Sequence, residues 1–495
     1  MKNIIKYIMI LSLLIGYGCS DLDEIIYDKV PVDRYPENAD QIAGLAADAY
    51  KKLQDLIDDN GWWFLAQIVS SDEVVFPTRD TDWDDNGKWR VMHTHEWTND
   101  IDAVNSMWGN LYDGVTRCNN ILDRFATFEQ NEDTKRKIAE VETVRAFYYY
   151  LLMDNYGDIP YLTTMVDAPD KPFKTKRADV YQKLVSELEA NAPLLFDGDN
   201  KYLATKYAAY SILAKLYLNA EVYTGTPQWE KANAAIDSVL AGPYSLDSDV
   251  SGPFKTENEH NSEIIFSIPF DEDNYQGFRL HMRSLHYNHN LTFDMEDGPW
   301  NGGCATKLQF DRYEDGDLRK EAFLIYGPQK TIDGKDLMDD DKIVDIDPYV
   351  PAIWMQTASN HTYEEIKFAG ARIGKYEIKR GAKENLSNDF PLFRITDFEL
   401  MKAEVEIRLG NSGDEWVNKI RTRAGVAPFE NATLEDVSEE RARELFVEGH
   451  RRQDQIRFGE WNKPWWEKKA QTGKDIFPIP KWAIDANENL LEPAQ

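Results

Sequence analysis

The sequence predicts a mostly α-helical protein in which tetratricopeptide-like helix pairs form a scaffold and loops and short strands are inserted into it. Three observations carry this expectation. Apolar residues recur at spacings of three and four in the first and last parts of the chain, as amphipathic helices require. The segment AAYSILAKLYLNA, Ala208 to Ala220, alternates small and large apolar side chains, the pattern of closely packed helices. Between 251 and 380 the periodicity lapses and Gly, Asn, Asp and His multiply. No strict repeat length is visible, so the pairing is read from stacked amphipathic faces rather than from a repeat.

Taken in order, Ala39 to Ile57 carries Ile42, Leu45, Ala46, Ala49, Leu53 and Leu56 on one side. Ser106 to Phe128 and Lys137 to Tyr156 read as a helical hairpin, stopped by Asp158-Ile-Pro160. Ala178 to Leu195, Lys206 to Val222 and Gln228 to Leu240 are three further amphipathic helices. SEIIFSIPF, Ser262 to Phe270, and RIGKYEIKR, Arg372 to Arg380, read as strands, with Ile332 to Pro351 between them as a solvated acidic loop. Helices resume at Ile395 to Leu409, Trp416 to Arg423 and Ser438 to Phe458. The mature chain, 19–495, is expected to be one domain, with a helical part over 19–250, a loop-rich insertion over 251–380 and a second helical part over 381–495.

The formal net charge of −31 opposes nucleic acid and anionic membrane surfaces as partners, because phosphate contacts need basic clusters. With 14 Trp and 25 Tyr, the chain is rich in the side chains that fill cores and also stack on rings and sugars. At the N-terminus, Lys2 and Lys6 precede a short apolar run, and small residues lead into Cys19. This order resembles a lipoprotein signal peptide over 1–18, with Cys19 as the lipid attachment site, although Gly16 stands where a branched apolar residue is usual. An ordinary cleaved leader is the alternative. SDLDE, Ser20 to Glu24, resembles the acidic tether of surface-exposed lipoproteins. Cys118 and Cys304 remain; a disulfide between them and two free buried thiols are both open.

The stretch TDWDDNGKWRVMHTHEW, Thr81 to Trp97, holds three tryptophans, two histidines and four acids. If Arg90 to Trp97 is a strand, Trp89, Val91, His93, His95 and Trp97 share one face. His93 and His95, with the histidines of HMRSLHYNH (His281 to His289), lack the Cys or Glu that would complete a familiar zinc spacing. They read as packing or hydrogen-bonding groups. The acidic loop lacks the ligand pattern of a calcium site. No nucleophile motif, phosphate loop or zinc helix is present in the sequence.

The last third carries further motifs: RITDFELMKAEVEIRLG (Arg394 to Gly410), NKIRTRAGV (Asn418 to Val426), ERARELFVEGHRRQDQIRFG (Glu440 to Gly459) and DIFPIPKWAIDANENL (Asp475 to Leu490). With SSDE (Ser70 to Glu73), MWGNLYDGVTRCNNIL (Met107 to Leu122) and FDRYEDGDLRK (Phe310 to Lys320) upstream, the chain resembles the SusD/RagB family of outer-membrane glycan-binding lipoproteins. The closing LLEPAQ departs from the family's usual finish. Physically, Arg421, Arg423, Glu444, Glu448, Arg451, Arg452, Asp454 and Arg457 are expected to lock helix ends together rather than to form a site.

The resemblance implies a SusD-like fold with four helix pairs and no catalysis or cofactor. It implies oligosaccharide binding at the cell exterior and partnership with a SusC-like TonB-dependent transporter; a RagB-like member would take peptides. A scaffold that grips only protein is the other alternative. A sugar needs an exposed indole or phenol for its C–H face and amides, carboxylates or Arg for its hydroxyls. In the loops that the resemblance marks for ligand, the candidates are Arg79, Asp82, Trp83, Asn86, Trp89, Tyr287, Asn288, Trp300 and Asn301. Trp83 leads, because acids and Asn flank it. Trp108 is expected in the core, Trp97 in the core or at its edge, and Trp465 and Trp466 in packing or against a partner.

Overall fold

The computed structural model describes residues 39–58 and 60–494. It divides into two compact units, Met1–Leu45 and Ala46–Gln495. Of the first, the described part is the start of a helix, Ala39–Ala47. The expected leader and Cys19 lie outside the described residues. Among the described residues no helix is long and apolar enough to cross a membrane.

The scaffold of the second unit is a run of helices: α1 (Asp102–Phe125), α2 (Glu132–Tyr156), α3 (Arg177–Asn191), α4 (Lys206–Leu218), α5 (Trp229–Leu240), α6 (Ile395–Arg408), α7 (Asp414–Arg423) and α8 (Leu434–Glu444). Each packs on the next, so α1/α2, α3/α4, α5/α6 and α7/α8 form four pairs in one stack. The third pair is divided in sequence by everything between Leu240 and Ile395, which is why no repeat length can be read from the chain.

Local chemistry sets the ends of these helices. The Asn131 side chain accepts from Thr134 N at 2.9 Å, and Thr433 and Asp436 form a reciprocal capping box. Gly157, at φ 74, ends α2 where the sequence predicts a break. Gly114 lets α1 approach α2, since a Cβ there would lie 2.6 Å from the Tyr148 ring.

Strand Ile264–Ile268 lies within the expected segment and pairs antiparallel with Phe390–Arg394, which leads directly into α6. Its register, Arg394 opposite Ile264, brings the Arg394 guanidinium into a buried ionic cluster. Arg394 meets Glu263 at 3.2 Å, Glu444 at 3.0 Å and Glu448 at 2.6 Å. Arg319 bridges Asp317, Glu440 and Glu444, and Arg423 binds Glu263 and Glu444. A second group joins Asp72 to Arg312 and Arg451, and a third joins Asp454 to Arg441 and Arg457. These residues lock the last helices to one another, as expected, and also tie them to the inserted segment.

Several local expectations are corrected. Ser438 to Phe458 is not one helix: the chain breaks between α8 and α9 (Arg451–Arg457), with Val447 and Gly449 at φ 51 and 80. The freed carbonyls of Glu444 and Phe446 instead accept from Lys375 Nζ, each at 2.9 Å. The same buried ammonium limits the expected strand Arg372 to Arg380 to Arg372–Ile373, because the chain turns to deliver Lys375 to Glu448. Ala39 to Ile57 is interrupted by a 3₁₀ turn at Asp48–Tyr50. Arg90 to Trp97 is not a strand; Lys88–His93 is a short helix that buries Trp89 and His93. The acidic loop carries a hairpin, Met338–Asp339 with Lys342–Ile343, over a cluster of Leu337, Val344, Ile346 and Phe368. Both described cysteines are free and buried.

The buried titrating groups predict an asymmetric pH profile. Burial holds the His95 and His286 imidazoles down to about 2, His289 to about 3, and His281 and His450 to about 4. They stay neutral in the fold while the unfolded chain protonates near pH ~6.5, so their contribution is lost as pH falls below that value. Glu73 acts in the opposite sense. Burial, then the adjacent Asp72, pushes its carboxyl up to about 8. It is protonated in the fold and ionised in the unfolded chain above about pH 4.5, so its contribution is lost as pH rises from there toward 8. The urea midpoint is expected to fall between pH ~6.5 and ~8, and Glu73→Gln is expected to remove most of that fall. Equal slopes in the two proteins would exclude this assignment.

Candidate functional site: a partly exposed aromatic cluster

Two short strand pairings gather the loops that hold the candidates. Val74–Val75 pairs antiparallel with Cys304–Ala305, and Thr78–Arg79 pairs parallel with Trp354–Met355. Between them Asp82 turns back on Arg79, and Trp83 follows at φ 58. An indole in left-handed backbone is costly, and the surrounding contacts hold it there. Its Nε1 donates to the Trp300 carbonyl at 2.7 Å, and its ring packs on Phe76 and Trp89 at centroid distances of 5.1 and 5.6 Å. Gly302 makes the fit possible, since a Cβ there would lie 2.3 Å from the indole.

Trp83, Trp300, Tyr287 and Asn288 are half-buried, and Asp82 and Asn86 are exposed. The Tyr287 hydroxyl donates to the Asp82 carboxylate, joining two loops about two hundred residues apart in sequence. Asn288 Nδ2 donates to the Met338 carbonyl at 2.7 Å, anchoring the same loop to the acidic hairpin. The guanidinium groups of Arg279 and Arg283 lie 5.9 and 5.4 Å from the Trp300 ring centre.

Three candidates lie elsewhere than at the surface. Trp89 is 3% exposed, stacked on Phe76 at 4.3 Å and beside Trp62 at 5.1 Å, so it forms the floor beneath Trp83. Arg79 is 2% exposed and donates to the carbonyls of Ile366 and Ala369 at 2.7 and 2.8 Å. Asn301 is 0% exposed and lies between the Lys367 carbonyl and the Arg372 guanidinium. Each shapes the loops from behind; their side chains present no surface to a ligand.

One residue escaped sequence reasoning. Trp354 is 51% exposed, with the Arg90 guanidinium 4.8 Å from its ring centre. Arg90 is fixed by Thr78 Oγ1 and by Asp84 at 2.7 Å, so the indole backs onto the candidate loop. The available signal was alternation: Ile353 and Met355 are buried and Trp354 points the other way, as strand geometry requires.

The remaining aromatic and histidine residues serve packing. Trp108 and Trp97 are buried, as expected of core residues. Trp466 packs against the cluster of Val75, Cys304 and Met355, and Trp465 against Trp461. His93 Nε2 bonds the Trp466 carbonyl at 2.9 Å, and His95 Nε2 bonds the Ser70 carbonyl at 2.7 Å. Among the described residues no group of His, Cys, Asp or Glu could hold a metal ion.

The chain is thus a helix-pair stack carrying an inserted, partly exposed cluster of indoles and a phenol. The chain belongs to the SusD/RagB family: a model described as "Starch-binding associating with outer membrane" matches residues 53–218, and the SusD family model matches 262–476. The starch-binding protein SusD of Bacteroides thetaiotaomicron is 25% identical over 462 residues, covering 83% of this chain and 82% of that one. The SusD-like protein P25 of Formosa agariphila is 24% identical over 381 residues, covering 72% and 70%. Among solved structures, surface glycan-binding protein A of Bacteroides thetaiotaomicron in complex with laminarihexaose superposes with a TM-score of 0.72. It shares 21% identity and covers 90% of this chain and 97% of that one. A SusD-like carbohydrate-binding protein from Bacteroides fragilis gives a TM-score of 0.74 at 18% identity, covering 92% and 100%.

Proposed function

We propose that this protein is a cell-surface receptor that binds oligosaccharides without converting them. In this reading it is held at the outer membrane by lipid on Cys19 and passes ligand to a SusC-like TonB-dependent transporter. The observation that carries the reading is the cluster of Trp83, Trp300, Tyr287 and Trp354, drawn from three distant loops and left partly exposed with Asp82 and Asn86 beside it. Indole faces suit the C–H side of a pyranose, and the neighbouring carboxylate and amide suit its hydroxyls. Family membership and the names of the relatives point to the same ligand class.

The test is calorimetric titration with a panel of oligosaccharides. Trp354→Ala is expected to weaken binding roughly five- to tenfold, the equivalent of about 1 to 1.5 kcal/mol for one lost stacking face. The melting temperature should stay unchanged, because the ring is 51% exposed. Binding of peptides with no response to any glycan would replace this reading by the RagB-like one.

A further inference from the structure

We propose that the sugar bound at this face carries a negatively charged substituent, a carboxylate or a sulfate, received at Lys367 beside the Tyr287 ring. The inference rests on the glycan reading above and narrows it to acidic glycans. It starts from two buried cations. Arg79 and Arg372 are both fully enclosed, and among the described residues neither has a carboxylate within ion-pair distance. Arg372 donates to the carbonyls of Ala369, Gly370 and Lys367 and to Asn301 Oδ1 at 2.7 Å. Arg79 shares the Ala369 carbonyl with it, at 2.8 Å. Carbonyl dipoles solvate such charges but do not cancel them, and a field arising in a low-dielectric interior is weakly screened.

That field emerges at Tyr287. Asn301, which accepts from Arg372, lies beside Tyr287, and burial, then the nearby Arg79, lowers Arg372 from its ordinary value only to about 9, so this guanidinium stays charged at neutral pH. Lys367 is half-exposed, with its ammonium 4.7 Å from the Tyr287 ring centre, and among the described residues it makes no ion pair.

The nearby acids are each held by a neighbouring group. Asp82 accepts from Tyr287, and Asp84 binds Arg90. Asp80 accepts from Thr357 N and Oγ1 at 2.7 and 3.0 Å, and Asp339 lies 3.4 Å from His286. The whole chain carries −31, yet at this place Arg79, Arg372 and Lys367 stand without an ion-paired carboxylate among the described residues. An anionic ring substituent would meet Lys367 in a charge-assisted hydrogen bond, with the two buried guanidinium groups adding attraction from behind.

The experiment compares three oligomers of equal length by titration: an uncharged hexose tetramer, its monosulfated form, and a hexuronate tetramer. At low salt at least one charged oligomer is expected to bind about tenfold more tightly than the uncharged one, the size of one charge-assisted contact. Whichever charged arm responds identifies the group as sulfate or carboxylate. The preference should shrink as salt is raised, and it should vanish in Lys367→Met, which keeps the stem and the backbone carbonyl. An unchanged melting temperature of Lys367→Met confirms that the fold is intact. Equal or tighter binding of the uncharged tetramer, or a preference that survives Lys367→Met, overturns this inference and leaves the glycan reading standing. No binding by any oligosaccharide overturns both.

Discussion

Replacing Glu444 by Gln is expected to destabilise the protein by about 3 to 5 kcal/mol, the cost of breaking a buried pair from one side. The side chain is 0% exposed and meets Arg319 at 3.0 Å, Arg394 at 3.0 Å and Arg423 at 2.5 Å. Burial opposes its charge, yet Arg423, Arg394 and Arg319 together hold the carboxyl far below the usual range. Gln keeps the shape and removes the charge, so three enclosed guanidinium groups lose part of their compensation at once. The effect should reach well beyond α8, because Arg394 ends the strand that leads into α6 and Arg319 belongs to the inserted segment. Urea denaturation gives the measurement. The exposed pair Lys481–Asp485, at 2.6 Å, supplies the contrast: Asp485→Asn is expected to change stability by no more than about 0.5 kcal/mol. Similar losses in the two variants would refute the structural role assigned to the cluster.

Gly302→Ala is expected to dismantle the aromatic face around Trp83 while the helix stack survives. A Cβ at this position would lie 2.3 Å from Trp83 Cε2 and 2.4 Å from its Cζ2. The backbone cannot yield easily, since the amides of Gly302 and Gly303 both donate to the Arg283 carbonyl at 2.8 Å. Nor can the indole retreat, because Phe76 and Trp89 stand behind it. It must swing outward and give up the hydrogen bond to the Trp300 carbonyl, at an overpacking cost of about 1 to 3 kcal/mol. Near-ultraviolet circular dichroism should report the lost tryptophan packing. Under the proposed function, glycan affinity should fall further than in Trp354→Ala, because Trp83 and Trp300 are displaced together. Retained binding with altered tryptophan signals would remove Trp83 and Trp300 from the ligand site.

The long helices were legible because amphipathic spacing and terminal signals act locally. Gly157 ends α2 where the sequence places its break, whereas the caps Asn131 and Thr433 start α2 and α8 a few residues ahead of the expected Lys137 and Ser438. The Arg and Glu spacings around Glu444 were legible as helix locks for the same reason. The break at Val447–Gly449 was not, because its cause is the ammonium of Lys375, about seventy residues upstream. The strand reading of Arg90 to Trp97 failed for a related reason. Alternating Trp and His side chains fit two periods over so short a run, and burial against Trp62 and Phe76 selects the helix.

For the candidate site, the sequence by itself determined which loops carry unusual concentrations of indole, amide and acid. It set Trp83 at the head of the expected candidates, and the family motifs marked the scaffold beneath it. Only the tertiary structure decided which faces of those residues meet solvent. It placed Arg79, Trp89 and Asn301 behind the loops, brought Trp354 beside Asp84 and Arg90, and left Lys367 unpaired over Tyr287. The physical reason is range: helix periodicity and capping are settled by neighbours within a turn or two, whereas exposure and electrostatic compensation depend on segments that meet only after the chain has folded.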